Sequence, residues 1–546
     1  MEKNMRFTTN RHLLILLALL VFVPLAHAQS QGLGDHRQRL AGNWLVTTAP
    51  GAAESLADHI RNLGGEVVRA LPRHQLLVVR MDGRVRELLR GNSMIQTLEA
   101  DPVRYPLQMP TLQPPQLPLP GREVIPYGIE HVDMPALPYR HGVNRTICII
   151  DSGYDLQHED LPKGGVSGAF DAQGSGDWFV DETGHGTHVA GTITALANGT
   201  GVTGLIPQPQ AVNLFIVKVF GKDPNSGEST WTSSSNLIAA LDRCEDAGAT
   251  IVNMSLGGPE KAWAERVAFA RAARRGMLLV AAAGNDGPDA PPSYPAFYPS
   301  VVSVGAVDAN NKLASFSQHD REVELVAPGV DVLSTVPTDS GRLALLAAEG
   351  VGQLAADPLD GSALGEVHGA FFSCGLAQSI CPAQGQICLI QRGENTFADK
   401  VQHCQEGGGL GAVILNNEPG SFSGTLGDQP STIPVVGLPQ EAGPILAALP
   451  TGQAITLTVI PSSYGLKSGT SMATPHVVGV AALVWSYHPQ CPAQAVRLAL
   501  DQSALDLGSP GRDPLFGFGL VQAQAAKVFL DRKTCGRPSL PVLPLP

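Results

Sequence analysis

TICIIDSGYD, residues 146–155, runs from a short apolar stretch into an acid and a glycine. Thr146 to Ile150 read as a strand buried on both faces, and Asp151, Ser152 and Gly153 mark its carboxyl end. The same pattern recurs downstream: VNLFIVKVF (212–220), TIVNMSL (250–256), MLLVAAAG (277–284) and VVSVGAV (301–307) are short, nearly continuous apolar runs. SSSNLIAALDRCEDAG (233–248) and WAERVAFARAARRG (263–276) lie between some of them with helical apolar spacing. Doubly buried strands alternating with helices predict an α/β body with a central parallel sheet flanked by helices. That pattern holds from Arg122 to about Pro337. Residues 338–460 are richer in Gly, Ala and Leu and carry Cys374, Cys381, Cys388 and Cys404. The α/β pattern resumes at SYGLKSGTSMATPHVVGVAALVWSYH (463–488), a turn followed by a long apolar helix. The expected organisation is therefore a body of residues 122–337 and 461–535, split by an inserted domain.

The chain before this body has three parts. Lys3, Arg6 and Arg11 precede the apolar run Leu13–Leu25, and Ala26-His27-Ala28 follows. This is the layout of a cleaved secretory signal, residues 1–28, and the run is shorter than a membrane-spanning helix needs. The expected product is exported, with no membrane association after signal cleavage. Residues 29–105 contain strand-like WLVTTA, EVVRAL, HQLLVVRM and MIQTLEADP, with helix-like AAESLADHIRNLGG and RVRELLRG between them. They predict a small α+β domain. PLQMPTLQPPQLPLPG (106–121) has too many prolines for helix or sheet and reads as an extended linker. At the other end, residues 536–546 are Pro-rich and read as a disordered tail.

The formal net charge is −12, and from Arg122 onward 24 Lys and Arg stand against 40 Asp and Glu. An acidic body lacks the basic footprint that nucleic-acid binding requires. Eight cysteines in an exported chain read as disulfides. Cys374 with Cys381, Cys388 with Cys404, and Cys491 with Cys535 are neighbouring candidates. Cys148 and Cys244 fall in a buried strand and a helix, where either a bridge or two buried thiols is possible. No C-x-x-C pair points to zinc.

Three segments carry the chemistry. Asp151 ends an apolar strand, His185 stands between glycines in GHGTHVAGT (184–192), and Ser471 sits at a turn before a buried helix in SGTSMATPH (468–476). Active sites of open parallel sheets gather at the carboxyl ends of strands, where Asp151 lies. A serine hydroxyl becomes a competent nucleophile when a neutral imidazole takes its proton. A carboxylate then fixes the imidazole tautomer and stabilises the imidazolium. Asn285, in VAAAGNDG (280–287), can donate its amide to a tetrahedral oxyanion beside the backbone N–H of Ser471.

The chain order Asp, His, Ser, with IIDSGYD, GHGTHVAGT, NMSLGG, AAAGNDG and SGTSMATPH, resembles the subtilisin-like serine proteases, the subtilases. The resemblance implies a subtilisin-like fold and peptide-bond hydrolysis. It assigns Asp151, His185 and Ser471 as the triad and Asn285 as the oxyanion donor. It implies a substrate-pairing edge at Ser255, Leu256 and Gly257, an opposite edge at Ser226 and Gly227, and a pocket near Ser293 and Asp286 that admits large apolar side chains. Residues 29–105, ending in IQTLEADPV, resemble the inhibitory propeptide of that family, and maturation is expected in the 106–121 linker or just beyond it. Residues 338–460, through GQICLIQRGENTFADKV, GGGLGAVILNN and IPVVGLPQEAG, resemble a protease-associated domain. A structural calcium ion is implied at Glu123, Asp160 and Asn198 with the carbonyls of Leu196, Thr200 and Val202, oxygen donors of the mixed type calcium takes. No catalytic cofactor is implied. The expected protein is a secreted, monomeric serine endopeptidase, self-processed from a zymogen and acting on proteins and peptides. The alternatives are a narrow-specificity processing protease and an inactive peptide-binding protein.

Overall fold

The computed structural model describes residues 43–107, 122–134, 137–140, 145–170, 175–222, 229–350, 352–418, 422, 424–427, 430–533 and 535. The signal segment, most of the Pro-rich linker, the tail, and Ser226 with Gly227 lie outside the described residues. The chain divides into two compact units, 1–101 and 102–546.

In the first unit a four-stranded antiparallel sheet runs Glu66–Leu71, Leu76–Arg80, Asn43–Thr48, Ile95–Ala100. Helices Ala53–Asn62 and Gly83–Leu89 supply Leu56, Ile60, Val85 and Leu89 to a core shared with Val46, Leu77 and Val79. Asp82 caps the second helix, its carboxylate accepting the Val85 N–H at 2.9 Å.

The second unit is built on a seven-stranded sheet in the order Leu325–Pro328, Val301–Val307, Leu278–Ala282, Ala249–Met254, Arg145–Asp151, Val212–Lys218, Val166–Phe170. Every neighbouring pair is parallel. All seven residues of Val301–Val307 are buried, as the continuous apolar runs require when helices cover both faces. Helices Ser234–Asp246 and Trp263–Arg274 pack together against the sheet, while His185–Thr194 and Thr470–Tyr487 form a second packed pair. Every residue from Thr470 to Ser486 is buried, which explains why this helix is apolar on all sides. Cys148 in the Arg145–Asp151 strand is bridged to Cys244 in the Ser234–Asp246 helix, closing the question the sequence left open. The other bridges are Cys374–Cys381, Cys388–Cys404 and Cys491–Cys535.

The strand order changes direction between Arg145–Asp151 and Ala249–Met254, which are adjacent in the sheet but far apart in sequence. Chains leave such a switch point in opposite directions, opening a crevice at the carboxyl ends. Asp151 and Ser255 stand at that crevice.

The insert is a closed seven-stranded barrel: Gly341–Ala348, Gly352–Pro358, Val435–Leu438, Gly411–Leu415, Ile387–Gln391, Gly365–Gly375 and Ala454–Ser462. It leaves the body after Val332–Thr335 and returns in Tyr464–Lys467, and those strands pair antiparallel. Entry and exit therefore lie side by side, so the body accommodates the barrel without opening its own core.

Candidate active site

Asp151 sits at the end of its strand, fully buried, with Oδ1 accepting the Ser152 N–H at 2.7 Å. His185 opens its helix and brings Nδ1 to 2.7 Å from the same carboxylate oxygen. An ionised carboxylate can only accept, so Nδ1 carries the proton and Nε2 is left as a base. That Nε2 is buried and has no hydrogen-bond partner.

Two glycines allow the strand end and the helix to approach so closely. A Cβ on Gly153, whose φ is +128°, would lie 2.4 Å from the Val180 carbonyl oxygen, and one on Gly186 would lie 2.2 Å from the Gly153 carbonyl oxygen. Asp181 then fixes the helix start. Its Oδ1 accepts the Gly184 N–H at 2.9 Å and the Ser152 hydroxyl at 2.8 Å, and its Oδ2 accepts the Thr187 N–H and hydroxyl at 2.8 and 2.7 Å. Burial pushes this carboxyl up, but the hydrogen bonds from Thr187, Ser152 and Gly184 outweigh it and hold the group below the usual carboxylate range. The buried Lys218 ammonium adds a second brace, donating to the carbonyls of Ser152 and Val180 at 2.7 Å each and to Glu182 at 2.5 Å. Sequence reasoning missed both residues. An acid shortly before a helix start, as in DETGHG, is a capping pattern that could have exposed Asp181.

Ser471 lies in the first turn of the Thr470–Tyr487 helix, which packs against the His185 helix. Its hydroxyl donates to the Ser255 carbonyl at 2.9 Å, so it is not bonded to His185. A proton transfer from this hydroxyl to the imidazole would require it to turn away from Ser255. The Ser255 hydroxyl donates to the Ser471 carbonyl at 2.8 Å. That carbonyl needs an outside donor because the residue four positions on is Pro475, which has no N–H. Asn285 faces the same helix start. Its Oδ1 accepts the N–H and hydroxyl of Thr470 at 2.9 and 2.8 Å, which turns Nδ2 away; Nδ2 is buried and unpartnered.

Beside these groups, Val103–Pro106 forms the middle strand of a three-stranded antiparallel sheet between Thr232–Ser233 and Leu256–Gly257. Arg104 faces Thr232, Tyr105 faces Gly257 and Pro106 faces Leu256. The Leu107 N–H then reaches the Ser255 carbonyl at 3.4 Å, the same oxygen that holds the Ser471 hydroxyl. Ser255, Leu256 and Gly257 thus form one side of this strand's bed, and Thr232–Ser233 forms the other. Ser293 is buried beside it: a Cβ on Gly257 would lie 2.1 Å from the Ser293 Oγ and 3.0 Å from the Leu107 Cδ1. Asp286 points to solvent.

The six residues named for calcium converge in one loop cluster. Strand Glu123–Val124 pairs with Gly201–Val202. Glu123 Oε1 accepts the N–H groups of Asn198 and Gly199 at 2.8 and 3.0 Å. Asp160 accepts from Asn198 Nδ2 at 3.0 Å and from the Val202 N–H at 2.8 Å, while its own carbonyl takes the Leu196 N–H at 3.0 Å. The Thr200 N–H binds Asn198 Oδ1 at 3.0 Å. Asp160 is fully buried, and burial, with repulsion from Glu123 and Glu159, pushes its carboxyl up to about 7. A buried carboxylate repelled by two neighbouring acids fits a hard divalent cation, which relieves both burdens.

Residues 142–348 and 445–519 match the subtilase family. The chain is a subtilase. Residues 346–446 match the PA domain, so the barrel is an inserted protease-associated domain. Subtilisin E of Bacillus subtilis (strain 168) is 31% identical over 315 residues, 57% of this chain and 76% of that protein. Subtilisin DY of Bacillus licheniformis is 40% identical over 224 residues, 40% of this chain and 77% of its own. The psychrophilic subtilisin-like protease Apa1 from the Antarctic Pseudoalteromonas sp. AS-11 superposes with a TM-score of 0.60 at 39% identity, covering 76% of this chain and 99% of that one. This subtilase is accordingly a serine endopeptidase with a subtilisin-like fold. Among its described residues no helix is long and apolar enough to cross a membrane.

Proposed function

We propose that this subtilase is exported as a zymogen and matures by cutting its own chain after Leu107, using Asp151, His185 and Ser471 as triad and Asn285 as oxyanion donor. One observation carries this reading: the chain's own Val103–Leu107 segment lies as an added strand in the crevice, with the Leu107 N–H and the Ser471 hydroxyl on one carbonyl. In this register a strand held by backbone pairing would bring the next carbonyl, that of Leu107, to the Ser471 hydroxyl.

In the reaction, the Ser471 Oγ attacks the Leu107 carbonyl carbon and its proton passes to His185 Nε2. The bond to Gln108 nitrogen is still intact, and the carbonyl oxygen becomes an oxyanion. Asn285 Nδ2 and the Ser471 N–H donate to that oxygen; Nδ2 is free to do so because Thr470 holds the other end of the amide. Collapse expels the Gln108 amine, which takes the proton from Nε2, and leaves an acyl-enzyme. Water then repeats the sequence and frees the Leu107 carboxylate. Asp151 keeps the imidazole in the required tautomer throughout. The small Ser293 beside Gly257 leaves room for an apolar side chain such as that of Leu107. Residues 29–105 act as the propeptide, and Glu123, Asp160 and Asn198 with the carbonyls of Leu196, Thr200 and Val202 hold a structural calcium ion. The enzyme acts as a monomer on protein and peptide substrates.

Mass spectrometry of the secreted wild type beside Ser471→Ala tests this. The wild type is expected to begin at Gln108, while Ser471→Ala retains residues 29–107. Equal processing of both proteins, or an active-site serine label on another residue, overturns the assignment.

A further inference from the structure

Arg104 is among the largest fully buried side chains of the described residues, and it lies in the crevice strand. Its Nε and Nη2 face Glu265 Oε1 and Oε2 at 3.2 and 2.5 Å, a two-pronged pair in which both side chains have no solvent exposure. The Tyr298 hydroxyl, held by the Ala262 N–H at 3.0 Å, stands 2.7 Å from Glu265 Oε2. The backbone around the guanidinium is also bare: a Cβ on Gly258 would lie 2.5 Å from the Val103 carbonyl oxygen and 3.4 Å from Arg104 Nη1. Among the described residues, Arg104 is the only cation in a salt bridge with Glu265.

Counting back from Leu107, Arg104 is the fourth residue on the amino side of the bond to be cut. It belongs to the segment that leaves on maturation, whereas Glu265 and Tyr298 belong to the enzyme. A carboxylate in a closed site is stable when a cation fills that site and is destabilised by an apolar occupant. Two parallel oxygens match the planar fork of a guanidinium better than the point charge of an ammonium.

We infer that Glu265, steadied by Tyr298, makes this protease select substrates with arginine at the fourth position before the scissile bond. The inference rests on the cleavage register proposed above, and it favours a narrow-specificity enzyme over a general one. The four residues before the scissile bond of its substrates would then resemble its own Arg-Tyr-Pro-Leu.

The test uses mature wild-type enzyme and four chromogenic peptides ending in Tyr-Pro-Leu before the leaving group, with arginine, lysine, norleucine or glutamate in front. Rates are normalised to the fraction of enzyme that takes an active-site serine label. The arginine peptide is expected to exceed norleucine about 100-fold in kcat/KM, with lysine between them and glutamate slowest. In Glu265→Gln the arginine-to-norleucine ratio is expected to fall to about 3. A wild-type ratio near 1, with all peptides cut and the label taken up, overturns the selectivity while leaving the protease assignment standing. Preference for arginine that survives in Glu265→Gln overturns the role of Glu265. No label and no cleavage of any peptide overturns both readings. The wild-type series decides the question even where the variant does not fold.

Discussion

Replacing Ser255 by alanine removes the hydroxyl that donates to the Ser471 carbonyl at 2.8 Å and accepts from Asn253 Nδ2 at 3.0 Å. All three residues are fully buried, so water cannot take over either bond. An acceptor and a donor stripped of partners in such a place each lose about 1–3 kcal/mol, and about 3 kcal/mol is expected in total. The helix itself cannot compensate, because the residue that would donate to that carbonyl is Pro475. Pro475→Ala restores the missing N–H. Alone it is expected to change stability by no more than about 1 kcal/mol, since loss of a rigid residue offsets the new donor. In the Ser255→Ala protein it is expected to recover about 1–2 kcal/mol, because the N–H then satisfies the stranded carbonyl. The four proteins of the cycle are best compared in a Ser471→Ala background, which prevents autolysis and leaves the carbonyl in place. Urea midpoints and slopes followed by tryptophan emission give the coupling directly. Additive effects, with coupling below about 0.5 kcal/mol, would refute the claim that the serine hydroxyl substitutes for the proline's absent donor.

Asn285→Ala is expected to lower kcat by about 10²–10³ with KM little changed, the range that loss of the corresponding amide donor gives in subtilisin. Active-site-titrated kinetics check it, and a change confined to KM would contradict it. Reverting the Cys148–Cys244 bridge to two serines opens a link between residues 96 apart and is expected to lose about 4–5 kcal/mol of stability, read from denaturant midpoints. Excess chelator is expected to lower the Tm of the mature enzyme, and Asp160→Asn to abolish the shift; ion at 100 times its Kd adds about 2.7 kcal/mol. Burial lowers the His476 imidazole from 6.5 to about 4 despite the Met472 carbonyl on its Nδ1, and burial holds His188 well below 6.5 too. Below pH 6.5 the unfolded chain therefore binds protons that the folded chain refuses, so stability falls as pH drops from 6.5 towards 4. His476 alone accounts for about 3 kcal/mol of that loss, an upper bound. A His476→Gln protein is expected to show a shallower decline over that window in pH-dependent melts, and an unchanged slope would show that His476 does not carry the effect.

The local order of the chain settled a great deal. Runs such as TICIID and VVSVGAV, short, β-branched and bounded by turn residues, read as doubly buried strands, and their alternation with helices indicates a parallel sheet. Composition exposed the insert, and five short motifs placed the acid, imidazole, amide and hydroxyl on strand ends and helix starts. These are local properties, set by which side chains can sit next to one another along a few turns of backbone. What the sequence could not settle was anything depending on partners distant in the chain. The bond between Cys148 and Cys244 needed the strand and helix to be stacked. Asp181 and Lys218 matter only because the Ser152 loop folds against them. The substrate's opposite edge was expected at Ser226 and Gly227, outside the described residues, whereas Thr232–Ser233 pairs with the crevice strand. Glu265 reads in sequence as one helical acid among many, 161 residues from Arg104. Only in the folded chain do Arg104 and Tyr298 meet that carboxylate away from water, and a charge sealed from water chooses its partner.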